Sequence, residues 1–309
     1  MSLIEVIVAD TTAVLEHTRT VRPLRELKRR LLDAPPVRSL RAALSTFGLI
    51  TEIKERSPSV GAMSLVNVRE APRAYEESPA VVAISVLTQG TFFGGSIERL
   101  SEIRRASAKP ILRKDFIFDE YQVYEARAFG ADAILLMPSL PVFEKNPARI
   151  ELLFDLATSL GLECLCEIGM TTGNELPRDV AARVPRRAIL WGANSRQFTS
   201  SKLRFRQRVG RLLGWDLMID IRRHAALREL IPEGKIAIAE SGIHTQRDLE
   251  AVAAMGFSGA LIGTALLRGP RSVRSMLDAF TAAVDRIRAK AWNVAASDTT
   301  HVSARAHSA

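Results

Sequence analysis

Six side chains of the kinds that move protons or hold polar substrates stand at or near the ends of short apolar runs: Glu52, Lys54, Lys114, Glu167, Asn194 and Glu240. Lys114 lies in PILRKD, where apolar Ile111 and Leu112 give way at once to Arg113, Lys114 and Asp115. The following DFIF puts Phe116 and Phe118 beside Lys114. A lysine against apolar walls is expected to have its pKa lowered, which suits acid–base work. Glu52 and Lys54 are two residues apart in GLITEIK, so on a strand they share one face. A Glu and a Lys together in an interior are costly unless paired or used, and both readings, salt bridge and working pair, stay open on these residues alone. Glu167, in LECLCEI, shares a face with Glu163 and Leu165; it is either a second carboxylate for proton transfer or a plain partner for Lys114. Glu240 shares a face with Ile236 and Ile238 and would be the third inward carboxylate. Asn194-Ser195-Arg196 closes another apolar run with groups suited to polar recognition.

These groups need a scaffold that brings many strand ends to one face. Eight runs read as buried strands: 48–54, 80–87, 110–113, 131–137, 162–168, 188–194, 235–241 and 259–263. Helix-period segments separate most of them, such as DEYQVYEARAFG (119–130), with an acidic first turn and a Gly stop. Repeated strand–helix units with polar groups at the C-terminal strand ends predict an α/β fold, a (β/α)8 TIM barrel with its site at that face. Residues 1–47 read as a helical extension packed on the barrel, 48–291 as the barrel and 292–309 as a disordered tail, with the last helix ending near Ala291. MPSLP after the fourth strand shows no chemical group, and 199–234 is the least legible stretch.

Anion binding has its own candidates. Ser57-Pro58-Ser59 with Gly61 is a polar loop that can offer hydroxyl and backbone donors. Ser241-Gly242 after the seventh strand and Gly263-Thr264 after the eighth make the usual phosphate cradle of such barrels. The adjacent Phe92 and Phe93 in a Gly-rich loop suggest one ring capping the core and one walling an apolar pocket.

The 309 residues carry a formal net charge of +9, but the Arg residues are spread over many helix faces and only 6% of residues are aromatic. That distribution speaks for solvated surface and an anionic small ligand, not nucleic acid. No apolar run reaches the roughly 18 residues of a membrane span, and the N-terminus lacks a basic leader, so a cytoplasmic protein is expected. Cys164 and Cys166 sit two apart on one strand face, a poor geometry for bridging, and are expected as buried free thiols.

EIKERSPSVG, ISVLTQGTFFGGS, PILRKDFIFDEYQVYEARAFGADAILL, GANSRQF and IAESGIHTQRDL…IGTALLR, in this order over about residues 3 to 288, resemble indole-3-glycerol phosphate synthase of tryptophan biosynthesis. The resemblance implies a lyase that closes an indole ring on 1-(2-carboxyphenylamino)-1-deoxyribulose 5-phosphate with loss of CO2 and water, using neither metal nor organic cofactor, as a monomer or weak homodimer. It implies Lys114 as general acid, Lys54 as partner of the substrate carboxylate and acid for dehydration, and Glu167 as acid/base. Glu52 and Glu240 would position lysines and hydroxyls, Asn194 and Arg196 would hold the anthranilate part, Phe93 and Phe116 would wall its ring, and Ser57, Gly242, Gly263 and Thr264 would bind the phosphate, with Pro58 and Ser241 also among the substrate-binding residues. Thr51 stands where that family commonly has Ala, Ile168-Gly169 where it has His or Asn after the Glu, and GANSRQF where it has G-I-N-[NS]-R-[DN]-L. A divergent paralogue, or another phosphate-binding barrel acting on a related substrate, is the competing reading; phosphoribosylanthranilate isomerase would need a Cys near the first strand, where this chain has Glu52 and Lys54.

Overall fold

Eight parallel strands close into a barrel in the computed structural model, which describes residues 2–171, 175–196 and 221–305. In chain order they are Gly48–Ile53, Val81–Leu87, Ile111–Lys114, Ala133–Leu136, Glu163–Ile168, Leu190–Asn194, Ile236–Glu240 and Gly259–Ile262. Each pairs with its neighbours in sequence, and the first closes the ring by pairing with the eighth (Thr51 opposite Ile262) as well as the second (Glu52 opposite Ser85). All eight expected strands are present, with ends shifted by one or two residues. The third shows why. Pro110 has no N–H to give, yet its carbonyl accepts from Ile84 N at 3.0 Å, and pairing runs on until Leu87 stands opposite Lys114.

Caps fix the helices. Ser64 and Ser96 accept from the amides of Asn67 and Arg99, starting Leu65–Glu77 and Ile97–Ala106. Asp119 with Gln122, and Thr245 with Asp248, form capping boxes on Glu120–Ala128 and Gln246–Ala254. In front of the barrel, Leu3–Val21 opens on a Ser2–Glu5 capping box and Leu24–Arg30 follows Pro23; Ile4, Ile7 and Leu27 are fully buried. This N-terminal layer touches the rim of the barrel at Asp10, whose carboxylate accepts from Gln89 Nε2 (2.8 Å) and Thr91 Oγ1 (3.1 Å).

Four features depart from the sequence reading. The loop holding Phe93 contains a helical turn, Gly90–Phe93, because the Gln89 side chain accepts from Phe92 N and Gly94 stops the turn at φ +70°. A two-residue antiparallel ladder, Arg56–Ser57 with Gly61–Ala62, brackets Ser57-Pro58-Ser59. MPSLP begins a short helix, Pro141–Lys145, with proline at the position where a missing amide costs least. The last helix runs Val273–Arg305, past Ala291 and into the stretch expected to lack order, in keeping with its alanines, which favour helix; 306–309 lie outside the described residues. Most of the poorly legible 199–234 also lies outside them, its described end carrying the helix Arg223–Arg228. Cys164 and Cys166 are buried free thiols. No helix among the described residues is long and apolar enough to cross a membrane.

Candidate active site

Strand alternation sorts PILRKD into two jobs. Arg113 turns outward, where its guanidinium donates to Thr88 Oγ1 (3.0 Å), Asp115 Oδ2 (3.0 Å), Glu125 Oε2 (2.9 Å) and the Gln122 carbonyl (2.9 Å). That buried network fixes the third strand to its own helix. Lys114 turns inward to the mouth of the barrel, where three carboxylates from three other strands meet it. Its Nζ donates to Glu240 Oε2 at 2.5 Å and lies 3.7 Å from Glu167 Oε2 and 4.0 Å from Glu52 Oε2. Glu52 is itself paired with Lys54. Of the two readings of Glu52 and Lys54, the salt bridge is present, and the pair lines the cleft.

Two glycines make room for this cluster. A Cβ on Gly192 would come within 2.0 Å of Glu240 Oε1, and one on Gly263 within 2.4 Å of Glu52 Oε1. Gly263 is thus explained by the carboxylate behind it. It is not on the cleft wall, whereas Glu52, Lys54, Ser57, Pro58, Phe93, Lys114, Phe116, Glu167, Asn194, Arg196, Glu240, Ser241, Gly242 and Thr264 all line one cleft.

The cleft has distinct ends. Phe93 and Phe116 stand 6.2 Å apart between ring centroids, tilted by 33°, and Leu135 of the fourth strand and Met137 just past its end extend this apolar wall. At the other end Ser57, Ser241, Gly242 and Thr264 gather. Ser241 (φ +67°) and Gly242 (φ +75°) are successive left-handed residues, a backbone shape that suits anion binding. Ser57 and Ser59 share a hydrogen bond at 3.0 Å, and Arg196 donates to Ser59 Oγ. Asn194 Nδ2 donates to Glu167 Oε2 at 3.1 Å and lies 3.4 Å from Met170 Sδ, which fixes the amide's orientation.

Burial and charge set the protonation states apart. For Lys114, burial pulls the pKa down, but the Glu240, Glu167 and Glu52 carboxylates outweigh it and the pKa is raised. The lowering expected from its aromatic neighbours does not occur, because carboxylates across the barrel approach the ammonium more closely than strand order reveals. Lys54 is the lowered lysine: burial dominates over Glu52, with Arg196 and Lys114 adding like charge. Burial and the neighbouring Glu240 raise Glu167 to about 8 against the pull of Lys114. Burial works against ionised Glu52 too, but Lys54 and Lys114 prevail and its pKa is lowered. Among the described residues, Glu167 Oε1 and Glu240 Oε1 are buried with no other hydrogen-bond partner, so a proton on Glu167 is naturally offered to Glu240. The site thus holds fixed cations, a fixed anion and one carboxyl poised near neutrality, the means to give and take protons in turn.

Sequence reasoning missed Leu135, Met137 and Met170 on the cleft wall. For the first two the signal was present in strand parity, since 135 and 137 face the same way as the inward carboxylates of other strands. Met170 follows the left-handed Gly169, where the run has left the strand and parity no longer informs.

A family model described as indole-3-glycerol phosphate synthase matches residues 4–277. The chain is 35% identical to an indole-3-glycerol phosphate synthase of Micrococcus luteus over 87% of this chain and 93% of that one. It is 36% identical to indole-3-glycerol phosphate synthase 2 of Streptomyces coelicolor, over 85% and 92%. Among solved structures, thiamine phosphate pyrophosphorylase from Pyrococcus furiosus superposes with TM-score 0.52 at 18% identity (81% of this chain, 99% of that one). N-(5'-phosphoribosyl)anthranilate isomerase from the same organism does so with TM-score 0.50 at 15% identity (78% and 99%). At such identities these two likenesses show the barrel fold alone.

Proposed function

The chain belongs to the indole-3-glycerol phosphate synthase family, and we propose that its carboxylate-ringed Lys114 drives that family's ring closure, decarboxylation and dehydration of 1-(2-carboxyphenylamino)-1-deoxyribulose 5-phosphate. The observation that carries the assignment of roles is Lys114 Nζ set among Glu240, Glu167 and Glu52 at the foot of a cleft with an aromatic wall at one end and serine and glycine backbone at the other.

In the first step the ring carbon bearing the carboxylate attacks the ribulose carbonyl carbon. The carbonyl electron pair moves to oxygen, and Lys114 meets the growing charge and supplies its proton. A raised pKa is no obstacle, since an alkoxide is far more basic than any lysine, and the fixed ammonium stabilises charge before it gives the proton. CO2 then leaves, and its bonding pair restores the aromatic ring. In the last step the new hydroxyl departs as water while the neighbouring carbon loses a proton, forming the second double bond of the five-membered ring. Lys54, whose pKa is lowered, is the better acid for that departure at neutral pH. Glu167, at about 8, is suited to accept and return the proton.

Lys54 also pairs with the substrate carboxylate until CO2 leaves, and Glu52 and Glu240 hold the two lysines. Phe93 and Phe116 wall the anthranilate ring, with Asn194 and Arg196 at its edge. The phosphate takes Ser57, Ser241, Gly242 and Thr264, with Pro58 on the cleft wall beside it and Gly263 shaping the turn. The same reading makes the protein a cytoplasmic enzyme of a phosphorylated small molecule, a monomer or weak homodimer needing no nucleic acid, metal or cofactor. The test is stoichiometry: purified protein given that substrate is expected to release one CO2 for each indole-3-glycerol phosphate formed. CO2 without indole product, or no turnover by folded protein, would contradict the assignment.

A further inference from the structure

Three side chains meeting at Lys114 or at each other, Glu167, Asn194 and Glu240, come from the ends of the fifth, sixth and seventh strands. Ladder pairing runs as far as Ile168 with Ala193 and Asn194 with Glu240 and stops there, so the backbone just beyond, at Gly169, Ser195 and Ser241, needs other bonds to hold it. Two successive residues of the helix Arg223–Arg228 do so. Arg223 Nη1 donates to the Ser195 carbonyl at 2.7 Å, and Nη2 to the Gly169 carbonyl at 3.3 Å. His224 is fully buried, with Nε2 3.1 Å from the Glu240 carbonyl and the ring edge-on to Phe257 at 5.6 Å. The Glu240 carbonyl also accepts from Ser195 N at 3.0 Å, and Ser195 Oγ donates to the Ser241 carbonyl at 3.2 Å. One helix end therefore gathers backbone carbonyls immediately at or beyond each of the three functional side chains.

We infer that Arg223 and His224 are positioning residues that hold these three strand ends at the spacing in which Glu167, Asn194 and Glu240 serve Lys114. The coupling path is short. Gly169 packs so closely on Asn194 that a Cβ there would lie 2.3 Å from the Asn194 carbonyl, so a shift of Gly169 reaches Asn194 directly. Asn194 in turn holds Glu167 through Nδ2, while the Glu240 carbonyl belongs to the residue whose carboxylate receives Lys114. Neither residue touches the cleft, and neither was singled out in the sequence, because nothing in RRHAALR distinguishes a carbonyl clamp from an ordinary basic helix start. Misplacement of reacting groups by a fraction of an ångström is felt in the chemical step more than in binding.

The inference rests on the roles assigned to the Lys114 cluster, and the experiment separates the two. Steady-state kinetics and thermal unfolding are measured for Arg223→Met, Arg223→Lys, His224→Phe, His224→Gln and Lys114→Ala. Arg223→Met and His224→Phe are expected to lower kcat at least about tenfold with KM within about threefold of wild type. His224→Gln, whose amide reaches the same carbonyl, is expected to recover most of the loss. Arg223→Lys, which keeps the charge but engages one carbonyl instead of two, is expected to stay about threefold low. Wild-type kcat in Arg223→Met and His224→Phe, with only the unfolding midpoint reduced, would overturn the clamp. If those two do not fold, Arg223→Lys decides, and a wild-type kcat there overturns it. Turnover retained by Lys114→Ala would instead bring down the assignment of the cluster itself.

Discussion

At the scale of single residues, burial acts on several groups of the cleft at once and charge then distinguishes them. Glu167 and Glu240 are both almost wholly buried, yet Glu240 holds the Lys114 ammonium at 2.5 Å while Glu167 stands at 3.7 Å. Burial and the neighbouring Glu240 raise Glu167 to about 8 against the pull of Lys114. A stability signature follows. Glu167 titrates near 4.5 when free of the fold and at about 8 within it. The folded state binds that proton more tightly, so its contribution is complete below pH 4.5 and is lost as pH rises to about 8. Denaturant titrations of wild type and Glu167→Gln at a series of pH values should show the wild type losing stability across this window relative to the variant, whose amide cannot ionise. Parallel curves would mean that Glu167 is not held protonated. Activity should respond as well. Removing a proton-transfer group costs on the order of 10²- to 10⁴-fold, so Glu167→Gln should lose turnover by that order in a steady-state assay.

At the scale of elements, the strand ends carry the Lys114 cluster, and its fit depends on what the neighbouring strand leaves out. Gly192 lies opposite Glu167 in the ladder and leaves the space Glu240 Oε1 occupies. Gly192→Ala must push that carboxylate away from Lys114. The expected result is a folded protein destabilised by about 1–3 kcal/mol, the range for overpacking, with kcat reduced more than KM is raised. An alanine variant with unchanged kcat would show that Glu240 is not held in place by this fit. Strand number, order and inward parity were legible, because buried parallel strands are apolar runs and a charge inside one is conspicuous: Glu52, Lys54, Lys114, Glu167 and Glu240 were found that way. What parity could not supply is distance across the barrel. It offered Glu167 as a partner for Lys114 without saying how near the carboxylates come, so the reading of the pKa rested on Phe116 and Phe118 and pointed the wrong way. It was equally silent where groups leave the strands: at Arg223 and Met170 the partners lie far off in sequence, and at Gly90–Phe93 a local cap by Gln89 makes a turn that strand alternation does not describe.

At the scale of the whole molecule, the chain carries a net charge of +9, and the substrate we propose for the cleft bears both a phosphate and a carboxylate. Such a charge raises the encounter rate with an anion and is screened by salt over about 10 Å at 0.1 M. kcat/KM is therefore expected to fall as sodium chloride is raised from low ionic strength, with kcat much less affected. Initial rates at several salt concentrations check this; a kcat/KM indifferent to salt would mean that the positive charge is plain surface. The N-terminal helices add to the rim, since Asp10 holds the turn that carries Phe93.

The most direct measurement is the rate of indole-3-glycerol phosphate formation, followed by its fluorescence, for wild type beside Lys114→Ala, with folding of both checked by thermal unfolding. Wild type is expected to turn over, and the variant to fall by about 10²- to 10⁴-fold in kcat, the span for losing a general acid. A folded Lys114→Ala protein with wild-type turnover would contradict the placing of ring closure at the carboxylate-ringed lysine.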